Sequence, residues 1–155
     1  MKVEFINPFV QAAYDVLKTE LNVEAEKGQL GIEESSMTTQ EEVTVLIGVT
    51  GKLQGVVMYS LGERTAKNMV GGMIGERLPV FNEIVESGIA EMGNVISGLA
   101  SAKLEAAGYI CTIAPPTVIA GRGVVISTVN IKKLVIPLKT RHGDIRISVA
   151  LKELT

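Results

Sequence analysis

The feature that most constrains the fold is one long helical segment in the middle of the chain. Across residues 82–107 the apolar side chains recur every three or four positions, and Gly108 follows where such a helix would end. A wide apolar stripe of this kind has to be covered, because amphipathic helices are held mainly by tertiary packing. The stripe predicted to pack on a sheet contains Phe81, Val85, Ile89, Met92, Val95, Ile96 and Leu99.

The rest of the chain alternates between blocks of strands and blocks of helices. Residues 43–49 and 53–61 are rich in β-branched and apolar side chains, and a short turn at Gly51 separates them, which predicts a β-hairpin. A helix is predicted over residues 63–74, and residues 109–155 predict further strands that end in a hairpin. Such blocks favour an α+β domain in which long helices pack on an antiparallel or mixed sheet.

Single residues give further local expectations. Asn7 followed by Pro8 predicts an N-cap and the first position of another helix, which would end near residue 21. One irregular strand is expected around residues 29–33, and Ile74 is expected to face inward at the end of the second helix. Pro137 lacks a backbone donor, so its strand should lie at a sheet edge or carry a bulge.

Length and charge exclude several classes of function. A chain of 155 residues fits one domain over residues 1–155 with a sizeable core. Its 15 Lys and Arg against 17 Asp and Glu, without a dense basic run, argue against nucleic acid as a partner. No apolar run approaches the ~20 residues of a spanning helix, so no membrane role is expected. The N-terminal residues lack the pattern of a signal peptide, and a cytoplasmic location is therefore expected.

Metal and thiol chemistry are also poorly supported by the sequence. Cys111 and His142 are the only residues of their kinds, and they lie far apart without other ligands nearby. The sequence therefore predicts no metal site and no thiol nucleophile. Cys111 is expected to be a small core residue, and His142 is expected in a turn together with Gly143 and Asp144.

The middle of the long helix contains four residues that form helices poorly, namely Gly93, Asn94, Ser97 and Gly98. A glycine inside a helix costs roughly 1 kcal/mol relative to alanine, and Asn and Ser also rank below Ala, Leu and Glu. An ordinary solvated face would favour Lys, Glu, Arg or Ala. These residues therefore indicate a requirement other than helix stability.

A polar cluster is predicted on the outer side of this helix. Ser87, Glu91 and Asn94 follow each other at steps of four and three, which brings their side chains together on one face. Gly98 and Ser101 continue the line and keep it free of bulk, so that another backbone can come close. On the residues alone, the alternative interpretation is a merely solvated polar face.

The chemistry of this cluster suits docking on another protein. An asparagine amide both donates and accepts hydrogen bonds, so that Asn94 could orient a water molecule, while the Glu91 carboxylate could pair with a lysine. Catalysis of phosphoryl transfer requires little beyond an oriented water molecule and such a docking contact, because its acceleration comes mainly from positioning and electrostatic stabilisation.

The spacing Ser87-x-x-x-Glu91-x-x-Asn94, followed by Pro116, resembles the signature of the CheX/CheC family of chemotaxis phosphatases. Glu91-Met-Gly-Asn94 and the stretch around Pro116 are most similar to its CheX members, and the similarity extends over nearly the whole chain. The resemblance implies a two-layer, CheC-like α+β fold. It also implies an enzyme that dephosphorylates the response regulator CheY.

The same resemblance implies roles for individual residues. Glu91 would pair with the active-site lysine of the receiver, and Asn94 would orient the attacking water. Mg2+ would belong to the receiver, so that this chain would bind no cofactor. Ser87 and Pro116 match family positions without a chemical role, and they are expected, with Gly98 and Ser101, to border the bound partner; Pro116 would shape the loop beside the helix.

A second Glu-x-x-Asn pattern occurs at Glu4 and Asn7, as in duplicated members of the family. Pro8 should start the helix there and leave Glu4 outside it, so the pattern is interpreted as a helix cap. One active face is therefore expected.

A homodimer is expected, because the mean hydropathy is high at +0.32 and open sheet edges invite pairing. Two alternatives remain at this point. One is a non-catalytic module that binds CheY or belongs to the flagellar switch, and the other is a structural domain that serves assembly alone.

Overall fold

The computed structural model describes residues 2–154, in which three helices lie on one face of a large antiparallel sheet. The helices are α1 (Asn7–Leu21), α2 (Glu63–Ile74) and α3 (Glu83–Ala106), preceded by a short 3-10 turn at Val3–Phe5. The strands are β1 (Glu26–Lys27), β2 (Gly31–Glu33), β3 (Ser36–Thr38), β4 (Val43–Gly51), β5 (Leu53–Leu61), β6 (Cys111–Ile113), β7 (Thr117–Ala120), β8 (Val125–Ser127), β9 (Lys133–Thr140) and β10 (Gly143–Glu153).

The main sheet has the order β1-β9-β10-β5-β4-β6, and all of its pairs are antiparallel. β2 also pairs with β9 and β7 with β4, so that each border of the sheet consists of two short strands. β3 and β8 form a separate two-stranded sheet. The predicted α+β class with an antiparallel sheet and packed helices is confirmed.

The core lies between the helices and the inner face of the long strands. Val45, Tyr59 and Ile147 lie side by side on neighbouring strands, and all three are buried. Alternate residues of β10 continue this face. The helices contribute Phe9, Leu17, Met69, Ile89 and Ile96, which are also buried.

Most predicted element boundaries are confirmed within one or two residues. The hairpin forms between β4 and β5, α2 spans the predicted residues, and His142 lies in the turn between β9 and β10. Asn82 caps α3 by accepting hydrogen bonds from the amides of Ile84 and Val85 at 3.1 and 3.2 Å. A side-chain cap at this position satisfies backbone donors that the first turn of a helix leaves free.

Two local predictions are wrong, and a third is confirmed only in part. Asn7 is the first helical residue of α1 and makes no capping hydrogen bond, because the preceding 3-10 turn leads directly into the helix through Ile6. Ile74 is 48% exposed, since α2 ends there and its last turn projects beyond the core. The expected strand at residues 29–33 is one of several short strands in this region, and it forms only over Gly31–Glu33.

Pro137 lies where the outer partner of β9 is interrupted. β2 pairs with β9 up to Val135, and β1 pairs with it from Leu138 onward. The Pro137 carbonyl accepts a hydrogen bond from the Gly28 amide at 2.8 Å, and its missing donor faces the same side. The predicted edge character of this strand segment is therefore present at the break between β1 and β2.

Two glycines of α3 have opposite surroundings. A Cβ atom at Gly93 would lie 3.0 Å from a methyl group of Val45 and 3.4 Å from the ring of Tyr59. A Cβ atom at Gly98 would meet no atom within 4 Å. Gly93 therefore allows the helix to approach the sheet, whereas Gly98 leaves open space on the outside.

We expect Gly98→Ala to raise the free energy of unfolding by up to about 1 kcal/mol, because helix propensity improves without a new contact. Gly93→Val should lower it by about 1–3 kcal/mol, since the larger side chain overpacks the contact with the sheet. Urea denaturation of both variants beside the parent chain measures these changes. A Gly93→Val variant as stable as the parent would contradict the close packing of α3 on the sheet.

Candidate active site on helix α3

Helix α3 is the central element of the helical layer. It packs against α1 and α2, and its C-terminal half also contacts β6 and β7. A Cβ atom at Gly88 would lie 2.6 Å from a methyl group of Val70, so this glycine allows α2 to come close. These contacts fix α3 on three sides and leave one side facing solvent.

The rotation of α3 about its axis is set by one buried hydrogen bond. The Tyr59 hydroxyl and the Ser97 hydroxyl lie 2.8 Å apart, and both side chains are buried. Burial raises the pKa of Tyr59, so that the phenol stays protonated. Gly93 and Ser97 therefore face the sheet, which explains two of the four poor helix formers in this segment.

With the inner face fixed, the predicted polar residues emerge on the outer side. Ser87, Glu91 and Gly98 are exposed, and Asn94 is half-buried next to Gly93. Within residues 2–154, no hydrogen bond or ion pair engages the carboxylate of Glu91 or the amide of Asn94. Both groups are thus available to a partner, and the open surface at Gly98 gives that partner room.

Two further predicted residues lie where α3 meets the edge of the sheet. The Ser101 hydroxyl donates a hydrogen bond to the Cys111 carbonyl at 3.0 Å, so it ties α3 to β6 instead of facing outward. The expectation that Ser101 continues the open line is therefore wrong. Pro116 is half-buried in the connection between β6 and β7, two strands that both contact α3.

Cys111 itself is only partly buried, at the start of β6. It packs against the edge of the core, so the expectation of a core position holds in part.

The apolar stripe predicted to pack on the sheet includes side chains that instead form an exposed apolar surface next to the polar residues. Val95 and Leu99 were expected in the core, but they are 38% and 42% exposed because the stripe is wider than the sheet contact. Val95 and Glu91 border a groove of about 290 Å3 at the junction of the three helices. Its other lining residues are Val16, Glu20, Met73, Gly88 and Met92. The only signal in the sequence was the excess width of the stripe.

The second Glu-x-x-Asn pattern is arranged differently. Glu4 lies in the 3-10 turn, where it accepts a hydrogen bond from the Tyr109 hydroxyl at 3.1 Å and pairs with Lys2 at 3.6 Å. Asn7 is exposed at the first position of α1. The Glu4 carboxylate is therefore engaged within the chain, unlike that of Glu91.

Among residues 2–154, no group of three or more His, Cys, Asp and Glu side chains is placed to hold a metal ion. No helix in this range is long and apolar enough to cross a membrane.

Comparisons with known proteins identify a matching family and a similar curated protein. A family profile described as chemotaxis phosphatase CheX matches residues 43–139, a range that contains Glu91, Asn94 and Pro116. The CheY-P phosphatase CheX of Thermotoga maritima is 31% identical over 152 residues, which cover 96% of this chain and 97% of that protein.

Solved structures show the same fold. The chemotaxis protein CheX of Desulfovibrio desulfuricans has 29% identity and a TM-score of 0.86, with 97% of this chain and 100% of that chain covered. A chain in the CheX-CheY-BeF3-Mg2+ complex of Borrelia burgdorferi has 25% identity and a TM-score of 0.75, with 98% and 100% covered.

Proposed function

The chain belongs to the chemotaxis phosphatase CheX family, and from this premise we propose that it hydrolyses the aspartyl phosphate of a CheY-type response regulator. The observation that carries the proposal is the open line of Glu91 and Asn94 on α3, whose polar groups have no partner within the described chain. Relatives named as a CheY-P phosphatase and as a CheX-CheY complex support the substrate.

In this mechanism Asn94 positions the nucleophile. The receiver supplies the acyl phosphate, and α3 lies against its active site so that the Asn94 amide holds a water molecule in line with the phosphorus atom. Attack forms a phosphorus–oxygen bond to water and breaks the bond to the aspartyl oxygen, which releases phosphate and the free carboxylate. Asn94 is suited to this role because Gly93 and Ser97 fix its turn of helix on the sheet.

Glu91 provides the contact that aligns the two proteins. Its exposed carboxylate pairs with the active-site lysine of the receiver, one turn from the water that Asn94 holds. Mg2+ belongs to the receiver in this proposal, in keeping with the magnesium in the related complex. Val95 and Leu99 add apolar contact area beside this pair, and Ser87 and Pro116 border the contact.

A non-catalytic module that only binds CheY would have the same fold, but it would not need a free amide beside the carboxylate. The unpaired Asn94 therefore favours the phosphatase over a switch or adaptor role. Phosphate release from a phosphorylated receiver distinguishes the two.

We also propose a homodimer that uses the sheets and leaves α3 free. Exposed apolar side chains lie on the short β2 strand, on β8 and in the loop that follows it, where Ile32, Val125 and Val129 are 67–71% exposed. Unpaired strand edges with such side chains favour pairing with a second chain. A symmetric dimer of this kind presents two separate active faces.

Asn94→Ala should reduce phosphate release from the phosphorylated receiver on the order of 10²-fold, because the attacking water loses its orientation. Folding should be unaffected, since alanine is the better helix former. The assay is release of inorganic phosphate with Mg2+ present. Asn68→Ala on α2 is the matched control and should retain the parent rate. Equal rates of phosphate release for Asn94→Ala and the control would contradict the mechanism.

Glu91→Ala should weaken binding to the receiver as well as slow the reaction, because it removes a charge-assisted contact. Calorimetric titration with the receiver measures the affinity. Glu105→Ala is the control, since it lies on α3 about 20 Å farther along the helix. If Glu91→Ala retained the parent's affinity for the receiver and its rate of phosphate release, the docking role would be wrong.

Light scattering during size-exclusion chromatography should give about twice the mass of 16.5 kDa at micromolar concentration. Ile32→Lys and Val125→Lys should shift the chain to monomer, because both place a charge in the interface. Val80→Lys, which changes an equally exposed residue before α3, should leave the dimer intact. A monomeric parent chain would refute the dimer.

A further inference from the structure

A second concave site lies beside α2. It is a cleft of about 500 Å3 between α2, the connection from α2 to α3, and the turn between β9 and β10. Its polar and charged lining residues are Arg64, Lys67, Asn68, Glu76, Arg77 and His142. None of them lines the groove beside Glu91, so this cleft, here called the α2 cleft, is a separate site.

The α2 cleft concentrates positive charge in a chain whose net charge is -2. Arg64 and Lys67 project from α2 and Arg77 from the following connection, whereas Glu76 is the single carboxylate in the lining. Lys67 donates a hydrogen bond to the Pro79 carbonyl at 3.3 Å, which holds the connection against the helix. Within residues 2–154, neither arginine takes part in an ion pair.

The open part of the α2 cleft wall is the backbone at Gly75, where a Cβ atom would meet no other atom within 4 Å. A ligand can therefore come close to the main chain at this position. The carbonyls at the end of a helix repel anions, but the Gly71 carbonyl already accepts the Glu76 amide at 3.0 Å. Leu78 and Pro79 add an apolar wall, and the volume lies within the range of about 300–1,000 Å3 typical of small-molecule sites.

We propose that the α2 cleft binds a small soluble organic phosphate of nucleotide size. The guanidinium groups of Arg64 and Arg77 bind the phosphate oxygens in a bidentate manner. Lys67 adds a third positive charge, and the wall of Leu78 and Pro79 packs against the organic part. This site goes beyond the phosphatase function and does not depend on it.

The pKa of His142 can be used to detect a ligand in the α2 cleft, because this residue lines the cleft and is the only histidine of the chain. Burial and the neighbouring Arg141 lower its pKa. The charged groups around the cleft are Arg64 and Lys67 on α2 and Glu76 and Arg77 on the connection.

A bound phosphate would stabilise the protonated imidazole and raise the pKa of His142. By linkage, the ligand should bind more tightly as the pH falls through this pKa.

The test uses the full chain and ADP without added metal. Calorimetry and the imidazole resonances of His142 should show saturable binding and a raised pKa in the complex. Arg64→Gln and Arg77→Gln should each lower the affinity by about tenfold or more, because each loses a charge-assisted contact. Arg122→Gln is the matched control, since that exposed arginine lies outside the cleft, and Asn94→Ala should bind ADP like the parent.

Several results would overturn the proposal. One is that ADP binding does not saturate below ~10 mM ADP, because the affinity would then be weaker than that of a specific site. Another is an equal loss in Arg122→Gln, which would show non-specific attraction. Cosedimentation with phosphatidylglycerol vesicles that Arg77→Gln abolishes would reassign the cleft to a lipid headgroup.

If Asn94→Ala retains ADP binding but lacks phosphatase activity, the result supports two independent sites.

Discussion

The structure depends on the close contact between the middle of α3 and the inner face of the sheet. Gly93 lets the helix approach Val45 and Tyr59, and the hydrogen bond from Tyr59 to Ser97 then fixes its rotation. A buried hydroxyl without a partner costs about 1–3 kcal/mol, so each member of this pair requires the other. Any rotation that would carry Asn94 away from its outward position would break this bond and force Gly93 off the sheet.

In the proposed mechanism, this constraint lets one protein position a water molecule at the active site of another. The acyl phosphate, the lysine and Mg2+ would belong to the receiver, so the chain would have to present Glu91 and Asn94 with their geometry already set. A helix fixed by buried contacts does this better than a loop, because its side chains cannot move independently of the core. The poor helix propensity of this segment is the energetic consequence, and the packing of α3 offsets it.

Much of the fold could be predicted because periodicity and turn residues act locally. The hairpin around Gly51, the bounds of α2 and the start of α3 near residue 82 all follow from neighbouring residues. The errors arose where tertiary context decides. Val95 and Leu99 share the spacing of the core stripe, but the sheet is too narrow to cover them.

The candidate site was predicted in its composition but not in its surroundings. Helical spacing places Glu91 and Asn94 on one face whatever the fold, so their proximity needed no structure. Ser101 fits the same spacing, yet its hydroxyl is used by the Cys111 carbonyl, which is ten residues away and on another element. Spacing alone therefore identifies which side chains share a face, whereas the partners that the rest of the chain brings to that face decide which of them remain free to act.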